Sequence, residues 1–368
     1  TSVSTSNLTV NGNAYPATGP LSNRNLIING AMQVAQRGTS STSTGYLVDR
    51  FEIGFGGGAV TTSQESLSSG DPYNEGFRKF LRLTNSTSAT AVNSYREITQ
   101  KIEAQNLANS GWNYASSASH ITISFWVRAS VAQTYYLKLK TNDGTAQAYA
   151  SAVSLSADTW TKITKTIPGD SNITINNDTG NGFNVALVPF YGTDFTDSSF
   201  TTDAWAAYGS NQLPDMTNTW SGTTNATFDI TGVQLEVGQV ATPFEHRSYG
   251  DELLRCQRYY FRDTHTVTSG PEHFFFTGYM QSTTQFEGVY DFPVEMRTTP
   301  SLGHSALSTF HLRNGGVAPT SINTFAPTTR SMSIYTGSSS VGSQYQASAL
   351  RGASGAGTTT YLEFNAEL

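Results

Sequence analysis

The chain has 368 residues, of which 37% are hydrophobic, 12% aromatic and only 13% charged, about half the usual charged share. Its net charge of −6 excludes the basic stripe of a nucleic-acid binder, and no apolar run approaches the roughly 18 residues of a membrane helix. A single cysteine, Cys256, excludes an internal disulfide and a cysteine-based metal cluster, while the aromatic content sets the chain apart from disordered sequences.

Residues 1–24 are polar and broken by Gly12, Pro16, Gly19 and Pro20. They read as an arm with a short strand at "NLTVNG", and "TSVSTSNLTV" lacks the basic start and apolar middle of a signal peptide. From Asn25 to about Gly238 strand follows strand. "YLVDRFEIGF" places Leu47, Asp49, Phe51, Ile53 and Phe55 on one side. "ITISFWVRA" does the same with Ile121, Ile123, Phe125 and Val127, and "TYYLKLK" sets Tyr135, Leu137 and Leu139 opposite Tyr136, Lys138 and Lys140. Such period-two alternation predicts one buried and one wet face. Asn142-Asp143-Gly144 then supplies tight-turn chemistry. "REITQKIEAQNLANSG" reads as strand to about Glu103 and loop beyond it. Residues 192–227 form a long irregular stretch, which Trp205, Tyr208 and Trp220 would peg down. Many short strands with turn residues between them predict an antiparallel sandwich or jelly roll.

Charge gathers in "GDELLRCQRYYFR" (250–262). Ser248 three residues before Asp251 resembles a capping box, with Asp in place of Glu or Gln. Leu253, Cys256 and Tyr260 share a helical face, and acids precede arginines as the helix dipole favours. The spacing predicts a short helix from about Tyr249 to Tyr259. Residues 263–368 return to strand patterns in "QFEGVYDFPVEM" and the terminal "TTYLEFNAEL", enough for a second small β domain.

None of the six histidines stands in a recognisable metal spacing, and no G-x-S-x-G elbow is present. "GFGGGA" (54–59) opens no helical pattern, so it reads as a loop or bulge rather than a phosphate cradle. Carboxylates at Asp170, Asp178, Asp194, Asp197, Asp203 and Asp215 lie in loop-like stretches where Asp is usually turn chemistry. No acid pair of a glycosidase is recognisable in sequence. Trp112, Tyr114, Trp205, Tyr208 and Trp220 lie in expected loops beside short polar residues. Flat apolar rings in such places suit sugar stacking, and the competing role is to plug the ends of the sandwich.

"NRNLIINGAMQVAQRG" (23–38), "YLVDRF" (46–51), "ITISFWVRA" (121–129), "FDITGVQLEVGQVATPFEHRSYGDELLRCQRYY" (228–260) and "FPVEMRTTP" (292–300) resemble bacteriophage tail-fibre proteins. The resemblance covers most of the chain after about residue 20 and is weakest over 301–358. It implies an all-β protein with a carbohydrate-binding-module-like jelly-roll sandwich (25–247), a linking helix (248–262), a C-terminal β tip (263–368) and an attachment arm (1–24). It implies a non-enzymatic homotrimer on the virion tail, assembled in the host bacterial cytoplasm, joined to other tail proteins through the arm and gripping a cell-surface glycan. With the helix at a threefold interface, Leu253 and Cys256 would face the axis or the jelly roll, and Asp251, Arg255 and Arg258 would pair across chains. The absence of disulfides fits a reducing site of assembly. No cofactor is expected; a structural calcium of the jelly roll would draw on Asp49, Asp229 and Glu236. Three alternatives stay open: a polysaccharide depolymerase, a binding module of a secreted enzyme, and a capsid head-fibre or decoration protein of the same fold.

Overall fold

Alternating strands hide their apolar side only when a second sheet closes over it. The computed structural model describes residues 7–10, 13–16, 22–211, 213–266, 273–353 and 359–368. The chain divides into a unit ending at Glu252, to which Leu368 also belongs, and a unit Leu253–Glu367. Each unit is a two-sheet antiparallel sandwich.

In the first unit, one sheet runs edge to edge through Trp205–Ala207, Gln147–Leu155, Gln133–Thr141, Asn181–Tyr191, Tyr95–Glu103, Glu52–Gly56 and Gly45–Tyr46. Its partner runs through Thr161–Pro168, His120–Ala129, Ala226–Val237, Lys79–Asn85, Thr61–Ser66 and Ser40–Ser41. The chain crosses repeatedly from one sheet to the other, which is the wrapping of a jelly roll. Between the sheets, Ile121, Ile123, Phe125 and Val127 meet Tyr135, Leu137, Leu139, Phe183, Val185 and Leu187.

The outer faces are drier than alternation predicts. Thr122, Ser124 and Trp126 are buried, as their inward neighbours are. Trp126 packs with Leu67, Phe77 and Phe80, and the Thr122 hydroxyl donates to the Gly238 carbonyl at 2.8 Å. On the opposite sheet, Phe195, Phe200, Leu213 and Met216 of the 192–217 stretch cover Ala150, Ala186, Val188 and Tyr191. Lys138, expected to be wet, is buried there. Its ammonium donates to Glu97 at 3.2 Å and to the Tyr191 hydroxyl at 2.5 Å, while that hydroxyl donates to Glu97 at 2.5 Å. Burial, reinforced by Glu97, pushes the Tyr191 phenol well above its ordinary value, so it stays a neutral donor.

Three local expectations are corrected. "YLVDRFEIGF" is not one strand, because the chain turns at Arg50 (φ 72°) and the strand spans only Glu52–Gly56. The buried Arg50 guanidinium donates to the Lys101 carbonyl at 2.6 Å, so the break aims a side chain inward. After the strand Tyr95–Glu103 comes a short helix, Ala104–Ala108, rather than loop. The stretch 192–227 holds an edge strand, Trp205–Ala207, and a helical turn, Thr219–Gly222.

At the front, Asn7–Val10 and Asn13–Pro16 pair as a small hairpin. Arg24, placed in the arm by sequence, is tied to the sandwich. Its guanidinium donates to the Thr242 hydroxyl at 2.6 Å and the Pro243 carbonyl at 2.5 Å. Asn25 accepts from the Leu235 amide at 3.0 Å and donates to the Val233 carbonyl at 3.2 Å, and its own amide meets Glu245 at 3.1 Å. The beginning of the sandwich is therefore zipped to residues some 210 positions later.

The helix spans Tyr249–Gln257. Ser248 caps it, its hydroxyl accepting from the Asp251 amide at 3.1 Å and donating to the Asp251 carboxylate at 2.7 Å. The next strand, Tyr260–Thr266, follows at once, so residues 260–262, predicted to end the helical linker, are strand. In the second unit that strand joins Thr359–Asn365 and Ser301–His304. A six-stranded sheet lies opposite, in the order Phe310–Leu312, Ala347–Gly352, Phe274–Ser282, Gln285–Asp291, Ser331–Gly337 and Ser321–Phe325. Met280, Phe286, Met332, Ile334, Leu350, Leu362 and Phe364 fill its core.

Candidate functional site

The edge strand Trp205–Ala207 is held by register, with Trp205 opposite Tyr149, Ala206 opposite Ala148 and Ala207 opposite Gln147. The Trp205 ring leans on Tyr149 at 5.3 Å and Phe183 at 6.3 Å, and its indole N–H donates to the Pro168 carbonyl at 2.8 Å. One edge of the ring is thus fixed in the sandwich while the residue stays half-exposed. Beside it opens a cleft of about 380 Å³ lined by Thr145, Gln147, Asn172, Thr174, Trp205, Ala206 and Ala207. Asp170 orients Asn172 by accepting from its amide and its side chain, both at 2.8 Å. Gln147 donates to the Thr145 carbonyl at 2.9 Å. One residue further along the strand edge, Tyr208 lies under the Lys140 ammonium at 4.1 Å. Burial, then the neighbouring Lys138, lowers the Lys140 ammonium below its ordinary value. Burial also pushes the Tyr149 phenol up to about 12, with Asp203 adding to the effect.

This lining combines one anchored indole with hydroxyls and amides, and no carboxylate is among the lining residues. Such a surface offers a flat apolar face plus short neutral hydrogen-bonding groups.

The five aromatic residues singled out in sequence do not form one site. Trp112, Tyr114 and Trp205 gather around Phe183 and the segment 168–175, where the Tyr114 hydroxyl donates to the Ile175 carbonyl at 3.3 Å. Trp220 lies far along the sandwich, against Phe228. Trp112 and Trp220 are 2% and 0% exposed, so neither has a face free to stack on a ligand, and both plug the sandwich. Tyr114 and Trp205 are both half-buried against the core and Tyr208 is exposed, and of the three Trp205 lines the cleft. Thr145, Gln147, Asn172 and Thr174 were not identified from sequence, since short polar residues in Thr/Asn-rich turns carry no distinguishing pattern.

The residues expected at a threefold axis are also placed. Asp251 is engaged by its own N-cap serine, Arg258 donates to the Glu295 carbonyl at 3.4 Å, and Leu253 and Arg255 are half-buried. Cys256 is buried within its own chain, so it offers nothing to an axis.

The three carboxylates considered for calcium are already occupied. Asp49 accepts from the Gln36 amide at 3.0 Å. Asp229 binds Arg82 and Arg128. Glu236 takes the Thr242 hydroxyl at 2.7 Å and faces Arg24 at 3.4 Å. Among the described residues no group of three or more His, Cys, Asp or Glu is gathered for a metal ion.

No protein-family model matches the chain, and no curated protein matches it in sequence. Solved structures do match. The family 11 carbohydrate-binding module of the cellulosomal cellulase Lic26A-Cel5E of Clostridium thermocellum is 10% identical with a TM-score of 0.28, covering 55% of this chain and 95% of that one. TmCBM61 in complex with beta-1,4-galactotriose is 9% identical with a TM-score of 0.27, covering 59% and 99%. The tandem CBM22-1–CBM22-2 domain of Paenibacillus barcinonensis Xyn10C is 9% identical with a TM-score of 0.28, covering 94% and 98%. At these identities no residue role passes from them to this chain.

Proposed function

We propose that the chain is a non-enzymatic adhesion protein of a bacteriophage tail fibre that grips a bacterial surface polysaccharide. The observation that carries this reading is the Trp205 cleft, where an anchored indole faces Thr145, Gln147, Asn172 and Thr174. A pyranose stacks its C–H face on the ring and exchanges hydroxyl hydrogen bonds with the amides and hydroxyls. The absence of a carboxylate from the lining favours holding over hydrolysis, which needs two acids across the bond. The extended sequence likeness at 228–260 supports the fibre context and the homotrimer.

Titration of the chain with purified lipopolysaccharide and capsular polysaccharide tests the reading. The double variant Asn172→Ala/Thr174→Ala, which alters exposed side chains, is expected to weaken binding about tenfold while leaving the melting temperature within a degree or two. Release of reducing ends during incubation would instead assign a depolymerase. Light scattering at micromolar concentration tests the assembly: a mass of three chains is expected, and a stable monomer rejects the trimer.

A further inference from the structure

Among the described residues, six large exposed apolar side chains lie in the second unit: Leu254, Phe274, Tyr279, Val289, Phe325 and Tyr345. Strand register puts several of them on one sheet face. Tyr279 pairs with Glu287, Glu287 with Tyr335, and Tyr335 with Asn323. Two residues along, Val289 pairs with Ser333 and Ser333 with Phe325. Their sequence neighbours Met280, Phe286, Met332 and Ile334 point into the core, so the rings face out. Adjacent strands are about 4.8 Å apart. Tyr279 and Tyr335 therefore flank Glu287 with a ring-to-ring span of about 10 Å, comparable to two linked pyranose rings.

Two details separate this face from a dry protein contact. The Glu287 carboxylate sits in the middle of the patch, accepting from Gln285 at 3.0 Å and from the Tyr279 hydroxyl at 3.1 Å. A carboxylate has about four acceptor sites, so it can still take donors, whereas an apolar partner would desolvate it. At the rim, Tyr345 is 75% exposed yet held in the left-handed region at φ 65°, with its amide donating to the Met280 carbonyl at 2.6 Å. A non-glycine residue in that conformation is strained, and the strain here presents an aromatic ring to solvent. Rings spaced to the strand ladder, a central acceptor and a strained exposed tyrosine suit a ligand with C–H faces and hydroxyl donors.

We infer that this face of the six-stranded sheet is a second saccharide-binding surface, specific for a neutral pyranose polymer. It is independent of the Trp205 cleft, and the two fail separately under mutation. The test is affinity electrophoresis of the full chain in gels containing hydroxyethyl cellulose, laminarin or galactan, with alginate as the anionic control. At least one neutral polymer is expected to retard the chain and alginate is not, because Glu287 repels it. Tyr345→Asn is expected to weaken that retardation about tenfold while raising the melting temperature, since Asn tolerates the left-handed region. In the Asn172→Ala/Thr174→Ala background, Tyr345→Asn still weakens the retardation that remains, because the sheet face acts without the cleft. No retardation by any neutral polymer, or retardation indifferent to both Tyr345→Asn and Tyr279→Ser, overturns the inference. So does a wild-type oligomer that Tyr345→Asn dissociates, which would give the face to a second copy.

Discussion

Trp220→Ala is expected to lower stability by about 3–5 kcal/mol, the range for emptying a large aromatic site in a core. The indole is completely enclosed, packs edge-on to Phe228 at 6.5 Å and donates to the Thr227 carbonyl at 3.0 Å. The Trp220 amide is itself held by the Gln133 side chain at 2.9 Å. Alanine therefore opens a cavity and removes one of two hydrogen bonds on the Thr227 carbonyl, which keeps the Ser130 amide at 3.0 Å. Trp220→Phe keeps most of the volume and loses one hydrogen bond to a carbonyl that stays paired, so about 0.5–1.5 kcal/mol is expected for it. Calorimetry ranks the two, and polysaccharide titration of the folded fraction separates structure from binding. Unchanged affinity per folded molecule is the expected result, and a lost affinity at intact melting temperature would return Trp220 to the glycan site.

The second large effect centres on Asp229. Its carboxylate is fully buried and accepts four N–H groups, from Arg82 Nε at 2.8 Å and Nη2 at 2.9 Å, and from Arg128 Nε at 3.0 Å and Nη2 at 2.7 Å. The three side chains lie on neighbouring strands, with Asp229 paired to Arg82 on one side and Arg128 on the other. Asp229→Ala leaves two guanidiniums side by side with no anion between them. The expected loss is about 3 kcal/mol, at the lower end for a broken buried pair, because both arginines retain some access to water. Replacing all three by leucine or methionine is expected to recover most of it, since an apolar trio of matched volume removes the desolvated charges as well. Urea unfolding of the single and triple variants checks this, and a triple variant no better than the single would show that the ion cluster itself stabilises the sandwich.

Inward faces were legible from sequence because alternation there is a direct consequence of burial: Ile121, Ile123, Phe125 and Val127 lie where period two places them. The outward faces were not. Lys138 and Thr122 look solvated in any local window, and only the distant segments that cover them, near 192–217 and 238–244, make them interior. The break at Arg50 was hidden for a similar reason, since an arginine with positive φ has no local signature. Ser248 and Asp251 did announce the helix start, because capping is a three-residue interaction. In the cleft, sequence could offer Trp205 by residue type, but Asn172 and Thr174 reach it only through the fold.

The zippering of Arg24 and Asn25 to Val233, Leu235, Thr242 and Glu245 sets a schedule for biosynthesis. During translation the first of these partners leaves the ribosome long before the last. At roughly 5–20 residues per second, the interval is roughly 10–40 seconds. Through that time the nascent segment that will close the sandwich has only water or a chaperone to bond with. Late closure of this kind, with partners so distant in the chain, also places the domain among slow folders.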